Sequence, residues 1–176
     1  MWVANSLPYL TPRTSDAPDP WAQEAAQAGG AGTQRLREVT ETSPPPAVAD
    51  ALQLPTGMPA VVRRRVMLLD DTPVELTDSW YPASFASGTP LAEQRKIKGG
   101  AVALLSELGY HAHEVLEDIA FRPATAPEAE LLHRPEGTPV IVLRRTVLTQ
   151  EGTPFEVSVM TMLAEGRLLR YRLTVG

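Results

Sequence analysis

GMPAVVRRRVMLLDDTPVELTDSWYP, from Gly57 to Pro82, reads as two apolar-rich strands joined by a tight turn, with three arginines in the first strand. A related stretch, GTPVIVLRRTVLTQEGTPFEVSVMT, follows from Gly137 to Thr161. Gly57 matches Gly137, Pro59 matches Pro139, and Arg64 and Arg65 match Arg144 and Arg145, all at an offset of 80. Past the turn the offset becomes 81, so that Pro73 matches Pro154 and Glu75 matches Glu156. One extra residue in the second turn accounts for the change. An internal repeat constrains a fold more than any local propensity.

The repeat extends backwards into a short helix in each half. PAVADALQL, Pro46 to Leu54, places Val48, Ala49 and Leu52 on one helical face, and TAPEAELLH, Thr125 to His133, places Ala129 and Leu132 where Ala49 and Leu52 stand. Thr125 and Glu128 have the spacing of a capping box, and Pro127 falls in the first turn, where a missing donor costs nothing. The unit is therefore helix, glycine turn, strand, tight turn, strand. Two such units in one chain predict an α+β domain with a pseudo-two-fold axis, built on a mainly antiparallel sheet with short helices.

Around this scaffold the chain is sparser. Residues 1–33 read as a linker and extended lead-in, with one short helix from Trp21 to Ala28 capped by Asp19 and carrying Pro20 at its first position. Residues 34–176 read as the domain proper. Gln34 to Thr42 is expected as an edge strand. In the first repeat strand Val61, Arg63, Arg65, Met67 and Leu69 share one face, and in the return strand Glu75, Thr77, Ser79 and Tyr81 do. Ser84 to Gly99 is loop-like and ends in the basic patch Arg95, Lys96 and Lys98. Gly100 to Gly109 is a short helix with Leu104, Leu105 and Leu108 expected inward, and His113 to Arg122 is a strand with Val115, Ile119 and Phe121 expected inward. Tyr171 to Val175 is expected to close the sheet.

Composition removes several classes of function. The 43% hydrophobic content supports a core, yet no run of 18 apolar residues spans a membrane, and MWVANSLPYLTPR lacks the build of a signal peptide. With no cysteine there is neither disulfide nor thiolate chemistry, which fits a cytoplasmic protein. The net charge of -5 argues against this chain gripping nucleic acid unaided, because that affinity rests on neutralising phosphates. No phosphate-binding glycine loop, nucleophile elbow or zinc-type histidine motif is present, so no catalytic residue, metal site or cofactor is assigned. His111 and His113, with Glu114 and Glu117 nearby, read as a strand surface, since zinc wants three or four convergent ligands.

The embedded arginines carry more information. Arginine is rarely buried unless paired, yet Arg65 and Arg145 lie in strands fit for a core. Each either pairs with a carboxylate such as Glu75 or Glu156, or lines a cavity and offers its fork of donors to a ligand.

The succession ADALQLPTGMPAVVRRRVMLLDDTPVELTDSWYP, then LLSELG, then PEAELLHRPEGTPVIVLRRTVLTQEGTPFEVSVM, resembles the UTRA effector-sensing domain of GntR-superfamily transcription regulators of the HutC branch. The PWAQEAAQAGGAGTQRLREVTE lead-in is similar to actinobacterial members. The resemblance implies a fold like chorismate lyase and a ligand cavity between the related halves. It also implies a homodimer whose small-molecule effector alters the spacing of two N-terminal winged helix-turn-helix domains, and so operator binding. No such DNA-binding pattern precedes Pro12, so the chain is expected to be the C-terminal part of a longer regulator, touching operator DNA only through that missing domain.

Taken position by position, the resemblance implies a pocket of Arg65, Met67, Thr77, Gly99, Gly100, Glu156, Met160 and Met162. Arg65 matches a strand arginine that holds an anionic group of the effector, and Glu156 matches the family's glutamate. Met67 stands where phosphosugar sensors carry a second arginine, and Thr77 where a return-strand glutamate is usual. Gly99 and Gly100 replace a serine or threonine, and Met162 replaces an aromatic. These departures favour a mostly apolar metabolite with one polar or acidic group near Arg65 over a phosphosugar. The competing readings are a lyase-like enzyme acting on a small diacid, and a domain that only dimerises.

Overall fold

The computed structural model describes residues 2–12 and 19–172. The repeat hairpins form its centre. Strands β1 (Trp2–Ala4), β2 (Gly32–Thr42), β3 (Ala60–Leu69), β4 (Thr72–Pro82), β5 (Glu114–Pro123), β6 (Pro139–Leu148), β7 (Pro154–Leu163) and β8 (Arg167–Leu169) alternate with short helices. Those helices are α1 (Pro20–Gln27), α2 (Pro46–Ala51), α3 (Ala83–Ala86), α4 (Ala101–Glu107) and α5 (Ala126–Leu131). Six strands make one antiparallel sheet in the order β2-β3-β4-β7-β6-β5, and β1 pairs with β8 in a small parallel sheet.

The first hairpin turns on Asp70 and Asp71, whose φ values of 47° and 62° give the left-handed pair that matches the twist of a two-residue β-turn. Strands β4 and β7 lie side by side at the middle of the sheet. The 81-residue offset carries Asp78 onto Val159, and these two are paired with each other. The pseudo-dyad therefore passes through the Asp78–Val159 pair, and Ser79 opposite Ser158 lies one residue from it.

Both faces of the sheet are covered. On the back, α2 sets Val48 and Leu52 against Val62, Trp80 and Val157, while α5 sets Ala129 and Leu132 into a cluster with Leu76, Val140 and Leu163. The repeat helices thus occupy equivalent places, one per hairpin. On the front, α4 and the segment around Pro90–Ala92 bring Leu105, Leu91 and Ile97 over Val61, Tyr81, Val147 and Phe155. Arg63 fastens that segment by donating from Nη1 to the carbonyls of Leu91 (2.8 Å) and Glu93 (2.9 Å), and from Nη2 to that of Arg95 (2.7 Å).

Helix α1 begins as its sequence demands, with the Asp19 carboxylate accepting from the Trp21 amide at 2.9 Å and Pro20 at the first helical position. Trp21 and Ala25 are fully buried in a cluster with Met67 and Val74, and the indole Nε1 donates to the Leu68 carbonyl at 2.9 Å. The lead-in therefore supplies core.

Three expectations change. Ile119 and Phe121 do lie on the front face of β5, but they are 39% and 73% exposed, because β5 is the outer strand and the front-face cover stops short of it. Leu108 is also exposed, since α4 ends at Glu107 and only Leu105 of its leucines is fully buried. The C-terminal strand is Arg167–Leu169, paired with β1 and not with the main sheet; Tyr171 and Arg172 follow outside any strand, and residues 173–175 lie outside the described residues.

Helix α5 carries the capping box, and Arg122 reinforces it by donating two hydrogen bonds to the Glu128 carboxylate at 2.6 and 2.7 Å. Those bonds outweigh partial burial and, with the Thr125 amide and hydroxyl, pull the Glu128 carboxyl down from 4.5 to about 2. A depressed carboxyl stabilises the fold above its unfolded value and loses that contribution as pH falls through the folded one. Glu128→Gln should therefore lower the urea midpoint at pH 7, and the gap from wild type should close as pH drops from about 4.5 toward 2, followed by equilibrium unfolding across that range.

Candidate functional site

The front face of the four inner strands carries a polar stripe. Pleating and register place Arg65 on β3, Glu75, Thr77 and Ser79 on β4, Glu156 and Ser158 on β7, and Arg145 on β6 on this one face, with Glu117 of β5 beyond. Met67, Met160 and Met162 lie on the same face. Six of the residues expected in a pocket thus do share one side of the sheet, which the period of two required once the strand order was fixed.

The duplication puts an arginine and a glutamate into each half, and the two halves settle them differently. In the first half Glu75 is closed by Arg167, whose Nη1 donates to Oε2 at 2.6 Å, while the Thr77 hydroxyl donates to Oε1 at 2.9 Å. Among the described residues Arg65 meets no carboxylate within salt-bridge distance; its Nη2 donates to Ser79 Oγ at 2.8 Å and its Nη1 to Gln34 Oε1 at 3.4 Å, and its Nε is buried with no acceptor among them. In the second half the roles reverse. Arg145 pairs with Glu117, Nε to Oε1 at 3.1 Å; Arg145 is buried and Glu117 largely so. Among the described residues Glu156 meets no lysine, arginine or histidine within salt-bridge distance, and its Oε1 accepts from the Ser158 hydroxyl at 2.9 Å.

The two charges left without an ionic partner are connected. Ser79 Oγ and Ser158 Oγ lie 2.9 Å apart across the pseudo-dyad, so a continuous chain runs Arg65–Ser79–Ser158–Glu156 over three strands. Tyr81 is buried beside this chain. Desolvation first, then the nearby Glu156 charge, raise its phenol well above the ordinary value, so it stays neutral.

A cavity of about 240 Å³ opens at the Glu156 end. Val147, Phe155 and Glu156 form its floor, Val102 and Leu105 of α4 one wall, and Tyr110 and His111 another, with Leu10 and Pro12 of the lead-in closing it. Tyr110 packs tilted on Phe155 at 5.6 Å between ring centroids and stacks on Phe85 at 4.1 Å. Of the expected residues, Glu156 alone lines this cavity. Met67, Met160, Met162 and Thr77 are buried in packed clusters or hydrogen-bonded, and Gly99 and Gly100 form the left-handed turn (φ 78° and 87°) that leads into α4. The sequence did not point to Tyr110, Phe155 or the lead-in residues, because only the strand order and the fold-back of residues 7–12 bring them together.

That fold-back is tied down over the stripe. Ser6 donates to Glu117 and the Tyr9 hydroxyl donates to Glu24 at 2.9 Å, while the Tyr9 ring sits 5.8 Å from the Arg145 guanidinium. From the other end of the chain the Tyr171 hydroxyl donates to Glu117 at 2.8 Å. Burial pushes the Glu117 carboxyl up, but these hydroxyl bonds and Arg145 prevail and hold it below its ordinary value.

Comparison with known proteins gives a consistent picture. The UTRA domain model matches residues 27–166. An uncharacterized HTH-type transcriptional regulator of Streptomyces coelicolor is 30% identical over 129 residues, covering 72% of this chain and 48% of its own length, so the chain spans about half of that relative. Among solved structures, the effector domain of PhnF from Mycobacterium smegmatis superposes with a TM-score of 0.74 at 19% identity, covering 94% of this chain and 99% of its own. The C-terminal domain of Yurk from Bacillus subtilis superposes with a TM-score of 0.69 at 16% identity, covering 77% of this chain and 92% of its own. At these identities the two likenesses carry the fold.

The asymmetry between the halves predicts unequal costs. Arg145→Ala leaves Glu117 buried without its cation and should cost about 3–5 kcal/mol. Arg65→Ala removes a guanidinium bonded to neutral partners and should cost only about 1 kcal/mol. Urea unfolding of both variants at pH 7 measures the difference.

Proposed function

The chain belongs to the UTRA domain family, and from that premise we propose that it is the effector-binding and dimerisation part of a ligand-responsive transcriptional regulator. The matching family and the relatives described above are regulators, not enzymes. In this reading a small molecule enters the front-face cavity and shifts the arrangement of a homodimer. A winged helix-turn-helix domain N-terminal to residues 34–176, outside this chain and joined through the lead-in, then binds its operator differently. The protein acts in the cytoplasm and needs no metal, cofactor or membrane. No helix among the described residues is long and apolar enough to cross one.

One observation carries the reading: the charges left over from the duplication, Arg65 and Glu156, lie on one hydrogen-bonded chain that ends at an apolar cavity. Internal ion pairs elsewhere on the stripe neutralise their partners, and among the described residues of the stripe this pair keeps capacity for a ligand. The effector is mostly apolar rather than a phosphosugar. A phosphate wants several convergent cations, and among the described residues the cavity wall presents none beyond a histidine whose Nδ1 already lies 3.1 Å from Ser106 Oγ. Arg65, with Met67, Thr77, Met160 and Met162 packed around the stripe and Gly99–Gly100 setting the approach of α4, forms the far side of the site.

The coupling demanded is small. An effector that prefers one dimer arrangement by ~1–3 kcal/mol changes operator affinity by about one to two decades. A thermal-shift and calorimetric screen of mixed metabolites, phosphosugars included, should return apolar binders and no phosphosugar. Glu156→Ala should weaken those binders by about tenfold or more with little loss of stability. A screen in which phosphosugars are the sole binders would sink the apolar assignment, and one with no binders at all would sink effector sensing.

A further inference from the structure

We infer that the effector is a small amine: an apolar or aromatic body carrying a basic nitrogen, with Glu156 as its counter-ion. This rests on the effector-binding reading above and adds the charge and shape of the ligand. The argument comes from the repeat, because the first half of the molecule fills the place that the second half leaves open.

The cavity floor is Val147, Phe155 and Glu156. At the offsets of 80 and 81 these residues correspond to Met67, Val74 and Glu75. Register agrees, since Met67 pairs with Glu75 and Val147 pairs with Glu156. In the first half that floor is covered from within the chain. The indole of Trp21, 2% exposed, packs in the cluster with Met67 and Val74, and Arg167 brings its guanidinium to 2.6 Å from the Glu75 carboxylate. The same guanidinium lies 5.9 Å from the Trp21 ring. The occupant of the first site is therefore an aromatic ring with a cation beside it, set on a glutamate.

In the second half Tyr110 sets a ring against Phe155, but the described residues bring no guanidinium or ammonium to the glutamate. Among the described residues no lysine or arginine of α4 or the lead-in pairs with Glu156, and a cavity lies above it. The carboxylate has one hydroxyl donor, Ser158, and reaches Arg65 only through two serines. A carboxylate facing apolar walls is costly unless a partner neutralises it. The walls suit a flat or aliphatic body, and the Tyr110 and Phe155 rings would favour a cation near their faces. The volume of about 240 Å³ falls below the range of roughly 300–1,000 Å³ typical of drug-sized ligands, which fits a compact monoamine. The ionisable groups facing the space are Glu156, Tyr110 and His111, and Tyr81 lies beneath; an anionic ligand would meet Glu156 directly.

Calorimetry of the full chain with 2-phenylethylamine, 2-phenylethanol and 3-phenylpropionate compares one body carrying a cationic, a neutral and an anionic head. The amine is expected to bind at least about tenfold tighter than the other two. Glu156→Gln keeps the acceptor for Ser158 and should bring the amine down to the level of the alcohol. The inference is overturned by three results: the propionate binds tightest, the amine does not bind, or its preference survives in Glu156→Gln. Should the glutamine variant fail to fold, the order of the three ligands on the wild-type chain still decides. Tight propionate binding that is lost in Arg65→Ala would reverse the ligand's charge and leave effector sensing standing. Sensing itself falls only if the metabolite screen yields no binder.

Discussion

The hydrogen-bonded chain Arg65–Ser79–Ser158–Glu156 is the point on which the front of the molecule turns. A sheet whose two faces are both covered has little room for charge. The duplication nevertheless plants an arginine and a glutamate in each half. Four charges on one covered face must be neutralised by neighbours or by something outside. Recruiting Arg167 for Glu75 and Glu117 for Arg145 resolves two of them. The two serines at the pseudo-dyad bridge the remaining pair at a distance, which satisfies their geometry without cancelling their charge locally.

The segments that break the symmetry decide where the molecule is closed and where it is open. Residues 83–107, inserted after β4, bring α4 across the β6–β7 end of the front face, while only the short β8 follows β7. The lead-in does the opposite work at the β3–β4 end, where α1 inserts Trp21. One hairpin is thus roofed by a helix that fills its floor, and the other by a helix that stands off it. Leu10 and Pro12 of the same lead-in then reach over to the open side. A segment that packs at one end and walls the cavity at the other is in direct contact with whatever occupies it, so a ligand could influence the lead-in without any long chain of rearrangements.

Much of this was legible in the sequence, and the reason is local. The repeat places the hairpins and their period of two sorts side chains by face, while the family resemblance groups Arg65, Thr77, Glu156 and the three methionines as a pocket; all six lie on one side. Asp19, Pro20, Thr125 and Glu128 announced helix starts because capping chemistry acts over two or three residues. The partners of the charges were not legible. Arg167 lies 92 residues from Glu75 and Glu117 lies 28 from Arg145, and neither pairing follows without the strand order. Periodicity assigns a face but not what covers it. Ile119 and Phe121 therefore read as core and stand exposed on an outer strand, while Met67 and Met162 read as pocket and stand in packed clusters.

The comparison of the two halves also constrains what kind of change ligand binding can bring. In the first half the ring and cation are covalently part of the chain, so Glu75 is neutralised whenever the domain is folded. In the second half, under the proposed reading, neutralisation of Glu156 depends on the concentration of a ligand. An occupant there would complete a pattern that the fold already contains, adding apolar contact to α4 and to Leu10 while satisfying a charge that otherwise leans on Arg65 through two hydroxyls. Relieving that dependence frees Arg65 and the serine pair at the pseudo-dyad, the position best placed to transmit a difference between the halves. Under the proposed reading, a duplicated scaffold with one site closed by its own residues and one left to a ligand works as a sensor, the closed half supplying the frame against which the open half moves.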